Sequence, residues 1–130
     1  CLINRGLKIL TNSELLEVNV NKSVKCKILT NNKNVEVEAE KLLQFVPLWT
    51  LKNQELGHML TREFIFKTFA DAFQFASKIA ELADQQDHHP KLTIEWGKVS
   101  IFWWTHSING LHMNDFVMAA KTDALAQSIE

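Results

Sequence analysis

The sequence predicts an α+β domain in which a four-stranded antiparallel sheet has helices packed on one face. Two observations indicate this class. Segments with strand alternation and segments with helical spacing follow in the order helix, strand, helix, strand, strand, helix, and one further strand is expected in residues 49–56. The chain has 130 residues, enough to bury one hydrophobic core but not two. We therefore expect one domain, residues 40–130, with residues 1–39 as an extension packed on it.

The extension contains most of the asparagines of the chain. Its apolar residues alternate with lysines before residues 30–34, which have the composition of a turn, and with glutamates after them. The alternating positions are Val24, Cys26 and Ile28 before the turn and Val35 and Val37 after it. This pattern predicts a surface β-hairpin.

The first helix and the first strands of the domain follow. Residues 40–46 read as a short helix that Pro47 closes, because a proline ring disfavours helical geometry at the preceding residue. Residues 60–66 alternate and are rich in aromatic side chains, with Phe64 and Phe66 on one face. They are expected to form a strand.

The main helix begins after Thr68, which can cap it, with Asp71 three residues later. Its apolar stripe is predicted to be Phe69, Ala72, Phe73, Ala76, Ile79, Ala80 and Ala83. The helix should end near Gln86, because the next residues are polar and Pro90 forces His89 into extended geometry.

Residues 92–96 and 99–105 read as a strand pair joined at Gly97, and residues 114–129 as the last helix. The second strand is apolar on both faces, since Phe102 and Trp104 alternate with other apolar residues. An exposed apolar face usually marks an interface, so we expect it to be covered by the extension or by another subunit.

Composition excludes several classes of protein. The chain has 14 basic and 15 acidic side chains, a net charge of -1, so a direct nucleic-acid partner is not expected. No apolar run approaches the roughly 20 residues of a membrane span. Cys1 and Cys26 indicate neither a disulfide framework nor a thiolate metal site. A cytoplasmic protein is expected, with organellar or nuclear location left open because the chain begins at Cys1.

Histidine is the unusual component, with five in this short chain. His88 and His89 follow the main helix, His106 follows a strand, and Asp84 and Asp115 are carboxylates in the same regions. Two imidazoles with an ordinary pKa of about 6.5 can divide the acid and base roles at neutral pH. These residues are therefore the predicted site.

Two other readings of the histidines stay open at this point. His88 and His89 could merely be a polar helix exit, where histidine interacts favourably with the helix dipole. Asp84, His88 and His106 could also hold a metal ion, although neither an H-x-x-x-H pair nor a cysteine pair supports this. His58 and His112 are expected to be surface residues.

Taken together, one set of residues resembles the pterin-4a-carbinolamine dehydratase family, also called the dimerization cofactor family, over roughly residues 40–127. The residues that carry the resemblance are Trp49, Arg62, Phe64, Phe66, Phe69, Phe73, Ala83, Asp84, His88, His89, Pro90, Trp96, Lys98, Val99, Thr105, His106, Gly110, Leu111 and Asp115. The His-His-Pro sequence followed at this distance by Thr-His and Gly-Leu-x-x-x-Asp is the specific part of the signature.

The resemblance implies dehydration of 4a-hydroxytetrahydropterin to quinonoid dihydropterin, in support of tetrahydrobiopterin recycling, without a metal ion or other cofactor. His88 and His106 would be the acid–base pair, and His89 would hold the substrate. Trp49 would line the pocket beside the pterin ring, and Asp84 and Asp115 would orient the histidines or bind the pterin. A homodimer or homotetramer is implied, and the alternative function is that of a protein-binding dimerization cofactor or transcriptional coactivator.

The sequence departs from the family pattern in three places. Asp84 stands where the family commonly has glutamate, so its carboxylate is one methylene shorter. His112 stands where Thr or Ser would cap the last helix, and it is expected to be a poorer cap. The asparagine-rich extension is the third departure, and the resemblance gives it no role.

Overall fold

The computed structural model describes residues 34–55 and 57–129, which form three helices and four strands. Helix α1 (Ala39–Leu42) lies between two 3-10 turns, Glu36–Glu38 and Leu43–Phe45. The elements after it are β1 (Thr50–Gln54), β2 (Gly57–Ile65), α2 (Phe69–Gln86), β3 (Lys91–Glu95), β4 (Lys98–Trp103), a 3-10 turn (His106–Ile108) and α3 (Met113–Ser128).

The four strands form one antiparallel sheet in the order β1-β2-β4-β3. The central strands pair Leu60 with Trp103 and Phe64 with Val99. Helix α2 packs on β3 and β4, and α3 packs on β2 and β4. The predicted fold class is therefore confirmed, including the strand expected in residues 49–56.

The core lies between the sheet and the helices. Alternate residues of the central strands are buried on the helix side, among them Leu60, Phe64, Val99, Ile101 and Trp103. The first two turns of α3, residues 113–120, are buried at every position. A helix segment that is buried all round carries little amphipathic signal, so hydrophobic spacing in the sequence shows only part of its packing.

Helix α2 starts and stops where the sequence predicts, and most of its predicted stripe is buried, namely Ala72, Ala76, Ile79 and Ala83. The Oγ1 atom of Thr68 accepts a hydrogen bond from the backbone N–H of Asp71 at 3.0 Å, so the predicted cap is present. Phe69 and Phe73, assigned to the buried stripe, are 49% and 57% exposed, and Ala80 is also exposed. The sheet instead contacts a face centred on Phe75, which the stripe omitted.

The predicted hairpin is wrong for its second arm. Glu36–Glu38 is a 3-10 turn, and the Oδ1 atom of Asn34 accepts a hydrogen bond from the backbone N–H of Glu36 at 2.8 Å. Local side-chain capping of this kind competes with strand pairing. The first arm, Val24 to Ile28, lies outside the described residues. The domain boundary predicted after residue 39 falls inside the helical segment of residues 36–45. The division into an extension and a domain stays a prediction.

The face of the sheet opposite α2 and α3 is partly covered by its own side chains. Phe102 is buried, and the Nζ atoms of Lys52 and Lys91 lie 5.4 and 5.1 Å from its ring centroid. Lysine stems can cover apolar surface while their ammonium groups stay in water. Coverage of this face by the extension or another subunit stays a prediction. Among the described residues, no helix has both the length and the apolar character of a membrane span.

The corrected face of α2 leads to a stability prediction. Phe75→Ala should lower the free energy of unfolding by about 3–5 kcal/mol, because it leaves a cavity in the core. Phe73→Ala, the matched control on the exposed flank, should change it by much less. Urea unfolding monitored by circular dichroism measures both, and equal losses would contradict the assignment.

Candidate active site

The first element of the site is the exit of α2, which places His88. Asp87 has a left-handed backbone with φ 53°, and the backbone N–H of His88 donates to the carbonyl of Ala83 at 3.2 Å. This is the hydrogen bonding of a Schellman turn, which ends a helix and reverses the chain. The imidazole of His88 stacks on the indole of Trp103, with ring centroids 5.7 Å apart and planes 16° apart.

His88 is joined to Asp115, at the start of α3. The Nε2 atom of His88 lies 2.6 Å from Oδ1 of Asp115, and the His88 side chain is 11% exposed. An ionised carboxylate can only accept hydrogen bonds, so Nε2 is the donor when Asp115 is charged. In neutral His88 this arrangement leaves Nδ1 as the nitrogen that can accept a proton.

Asp115 is fully buried and receives two further hydrogen bonds. Its Oδ2 atom accepts from Oγ1 of Thr105 at 2.9 Å and from the backbone N–H of His112 at 2.9 Å. A buried carboxylate needs such donors, because an unpaired charge in the interior costs several kcal/mol. Asp115 therefore connects the exit of α2, the end of β4 and the first turn of α3.

His112 differs from its prediction in two respects. It is 2% exposed, so the surface assignment is wrong. Its Nδ1 atom accepts a hydrogen bond from the backbone N–H of Asn114 at 3.0 Å, and with Asp115 it completes a capping box. Nδ1 of histidine is separated from Cα by the same number of bonds as Oδ1 of asparagine, so it can take the acceptor role of a favoured cap.

His89 and Asp84 form a second pair on the surface. The Nε2 atom of His89 lies 3.0 Å from Oδ1 of Asp84, and their side chains are 55% and 80% exposed. The carboxylate of Asp84 is thus close to His89, whereas His88 is paired with Asp115. An exposed pair of this kind contributes little to stability, and the exposure of both side chains leaves them accessible to a ligand.

His106 is exposed and lies next to the buried network. It is the first residue of the 3-10 turn after β4, and its ring stacks on Trp104 with centroids 4.4 Å apart and planes 11° apart. The preceding residue, Thr105, donates to Asp115. The structure therefore brings His88, Thr105 and Asp115 together directly, and it attaches His106 to them through the chain.

Trp49 has different neighbours. Its indole Nε1 donates to Oδ1 of Asp123 at 2.8 Å, and its ring meets Phe64 edge-on. Arg62 also contacts Asp123. Burial raises the pKa of the Asp123 carboxyl, while the bond from Trp49 and the charge of Arg62 act in the opposite direction. Asp123 lies eight residues after Asp115, about 12 Å along α3. The pocket role of Trp49 stays a prediction.

Sequence reasoning did not identify Thr105, Trp103, Trp104 or His112 as parts of the site. Thr105 carried one usable signal, because a hydroxyl directly before a candidate histidine at a strand end can bind the same carboxylate. For the two tryptophans, only the order of the strands shows which ring meets which histidine. Within residues 34–55 and 57–129, no three His, Cys, Asp or Glu side chains are arranged to hold a metal ion.

Comparison with known proteins identifies the family. A family model described as Pterin 4 alpha carbinolamine dehydratase matches residues 19–125. The chain belongs to the pterin-4a-carbinolamine dehydratase family. The prediction of the family, and of its enzyme class, the hydro-lyases, is confirmed at this level. The matched residues begin at residue 19, inside the segment 1–39 that the sequence predicts to be an extension.

Individual relatives agree with the family. A protein of Saccharophagus degradans is 54% identical over 84 residues, which are 65% of this chain and 74% of the relative. One of Chlorobium luteolum is 46% identical over 113 residues, 87% of this chain and 98% of the relative. Both carry the name "Putative pterin-4-alpha-carbinolamine dehydratase".

One solved structure supports the fold of this pterin-4a-carbinolamine dehydratase family member. It is described as a transcriptional coactivator/pterin dehydratase from Brucella melitensis. The two structures superpose with a TM-score of 0.64 at 34% identity, covering 73% of this chain and 99% of the other.

The cap made by His112 can be tested directly. His112→Ala should lower the free energy of unfolding by about 1 kcal/mol or more, because the helix loses its acceptor for a backbone N–H. His112→Asn keeps an acceptor at the same distance from Cα and should recover most of that loss. Thermal and urea unfolding measure both variants, and an alanine variant as stable as the wild type would contradict the cap.

Proposed function

We propose that this chain dehydrates 4a-hydroxytetrahydropterin to quinonoid dihydropterin by general acid–base catalysis by histidine. The observation that carries the proposal is the bond between the largely buried His88 and the fully buried Asp115, beside Trp103. The family supports the substrate class. A histidine oriented by a buried carboxylate, with a second histidine three residues beyond β4, has the groups that this reaction requires.

The reaction needs one proton donor and one proton acceptor. The lone pair of N5 forms a double bond to C4a while the bond between C4a and its hydroxyl breaks, and the hydroxyl leaves as water. One group protonates the departing oxygen, and another takes the proton from N5. Both groups then return to their starting states by exchanging protons, so no oxidant or reductant is consumed.

We assign these two roles to His88 and His106. The Nε2 atom of His88 is held by Asp115, so its proton transfer uses Nδ1. His106 lies on the surface against Trp104, where substrate can approach it. His89 and Asp84, also exposed, are proposed to hold the pterin through hydrogen bonds. No metal or cofactor is part of this proposal, which serves tetrahydrobiopterin recycling in the cytoplasm.

A second function is proposed on a separate observation. Phe69 and Phe73 are one helical turn apart on α2, and both are about half exposed. Exposed aromatic side chains on one helix face favour a protein contact. This supports the homo-oligomer and the role of a dimerization cofactor, and the related Brucella melitensis protein is described as a transcriptional coactivator. Such a role does not require the histidines, so histidine variants separate the two functions.

Replacement of the two catalytic histidines tests the enzyme. His88→Ala and His106→Ala should each abolish dehydration above the uncatalysed rate, because each removes one partner in proton transfer. Stopped-flow absorbance of 4a-hydroxytetrahydropterin measures the rate. Gln85→Ala, at an exposed position in the last turn of α2, is the control and should keep full activity. Full activity in both histidine variants would reject the proposal.

The role of Asp115 calls for a change that preserves its shape. Asp115→Asn should lower kcat at least about a hundredfold, because an amide neither stabilises the imidazolium of His88 nor fixes its tautomer. Circular dichroism should show a folded protein, since the amide oxygen can still accept at the capping box. Unchanged kcat would mean that the His88–Asp115 pair is structural only.

A further inference from the structure

The segment before α1 makes close contacts at the end of the sheet that carries His106. Glu36, in the 3-10 turn, accepts a hydrogen bond at Oε1 from the backbone N–H of His58 at 2.5 Å. The Nδ1 atom of His58 lies 3.2 Å from the same oxygen. His58 is the second residue of β2, so this carboxylate holds the turn between β1 and β2.

The same carboxylate faces the loop after β4. A Cβ atom placed on Gly110 would lie 3.1 Å from Oε1 of Glu36 and 2.8 Å from Nδ2 of Asn34. A Cβ atom on Gly57 would lie 2.9 Å from that Oε1 and 2.2 Å from the carbonyl oxygen of Asn109. Three segments therefore meet at Glu36, and a side chain at Gly57 would collide with a backbone oxygen, whereas one at Gly110 would displace the side chains of Asn34 and Glu36.

A main-chain bond fixes the segment in this place. The backbone N–H of Val35 donates to the carbonyl of Leu111 at 2.9 Å, and the side chain of Val35 is buried in the core. The carbonyl of Leu111 belongs to the loop that leads from His106 to α3. The backbone next to Glu36 is therefore fixed to the loop and to the core, and this restricts the positions that the Glu36 side chain can take.

The loop from Thr105 to Gly110 carries His106 and is closed at its base. The backbone N–H of Thr105 donates to the carbonyl of Gly110 at 2.8 Å, and the reverse bond is 3.4 Å. Thr105, on one side of this base, donates a hydrogen bond to Asp115. Gly110, on the other side, lies against Glu36. His106 itself is exposed and rests on Trp104.

We infer that Glu36 is a positioning residue for His106: its carboxylate clamps the β1–β2 turn against Gly110 and so fixes the loop that presents the imidazole. The catalytic part of this inference rests on the proposed dehydratase function. An exposed imidazole on a loop transfers protons efficiently only if the loop is held, since small displacements of a catalytic group can cost large factors in rate. Glu36 acts through the loop and does not touch the substrate.

The test compares three variants in the same 3-10 turn. Glu36→Ala removes the clamp, and Glu36→Gln keeps an oxygen that can accept from the His58 N–H. Glu38→Ala is the matched control, because the Glu38 side chain is exposed and forms no hydrogen bond or ion pair within the described residues. Amide hydrogen exchange of residues 105–110, the NMR signal of the His106 ring, and kcat and KM are measured for each.

For Glu36→Ala we expect faster exchange of residues 105–110, a shifted His106 ring signal, and a kcat lowered about tenfold with a smaller change in KM. Glu36→Gln should recover most of each effect, and Glu38→Ala should match the wild type. A merely structural clamp would alter stability and exchange but would leave the His106 signal and kcat unchanged, and that result would overturn the inference.

A second variant approaches the contact from the other side. Gly110→Ala directs a methyl group at Asn34 and Glu36, and it should reproduce the effects of Glu36→Ala. Because both changes disturb one contact, the double variant should lose no more than either single variant. Additive losses in kcat would overturn the clamp. A wild type without dehydratase activity would reject the proposed function, and the exchange and NMR results would then decide alone whether Glu36 holds the loop.

Discussion

The buried carboxylate of Asp115 is the constraint on which the site depends. A charged group without solvent must be surrounded by donors, and here they come from three separate elements. Nε2 of His88 comes from the exit of α2, the hydroxyl of Thr105 from the end of β4, and the N–H of His112 from the start of α3. If any of these segments shifted, the carboxylate of Asp115 would lose a hydrogen-bond donor. The buried charge therefore restricts how the three segments can lie relative to one another.

The sheet supplies the rest of this arrangement. Register pairs Leu60 with Trp103, which places the indole of Trp103 on the helix side of the central strand. His88 stacks on that indole, so a core side chain also forms one wall of the polar site. Trp104, the first residue after β4, stacks on the ring of His106. Two adjacent tryptophans thus contact the two histidines, Trp103 the largely buried His88 and Trp104 the exposed His106.

Local signals were sufficient to predict the helices and strands of residues 40–129 but not the 3-10 turn before them, and tertiary contacts decided the details of packing. Thr68 and Pro90 mark the limits of α2, because capping and proline geometry act within a few residues. The choice of Phe75 over Phe73 as the buried residue depends on the angle at which α2 meets the sheet. Val35 alternates like a strand residue, yet its backbone bonds to Leu111, 76 positions away. Motif spacing singled out His88 and Asp115, but the bond between them follows only from the folded chain.

The two proposed catalytic histidines have the same side chain but different surroundings. Asp115 holds Nε2 of His88, so this ring has one nitrogen available and a fixed orientation. His106 has an aromatic face on one side and solvent on the other, so its orientation depends on the loop beneath it. Transfer of a proton to or from the substrate requires a fixed orientation, which a rigid imidazole provides. Return of both histidines to their starting protonation states requires proton exchange with water, which an exposed imidazole provides. The proposed acid–base pair therefore consists of one rigid, largely buried imidazole and one exposed imidazole.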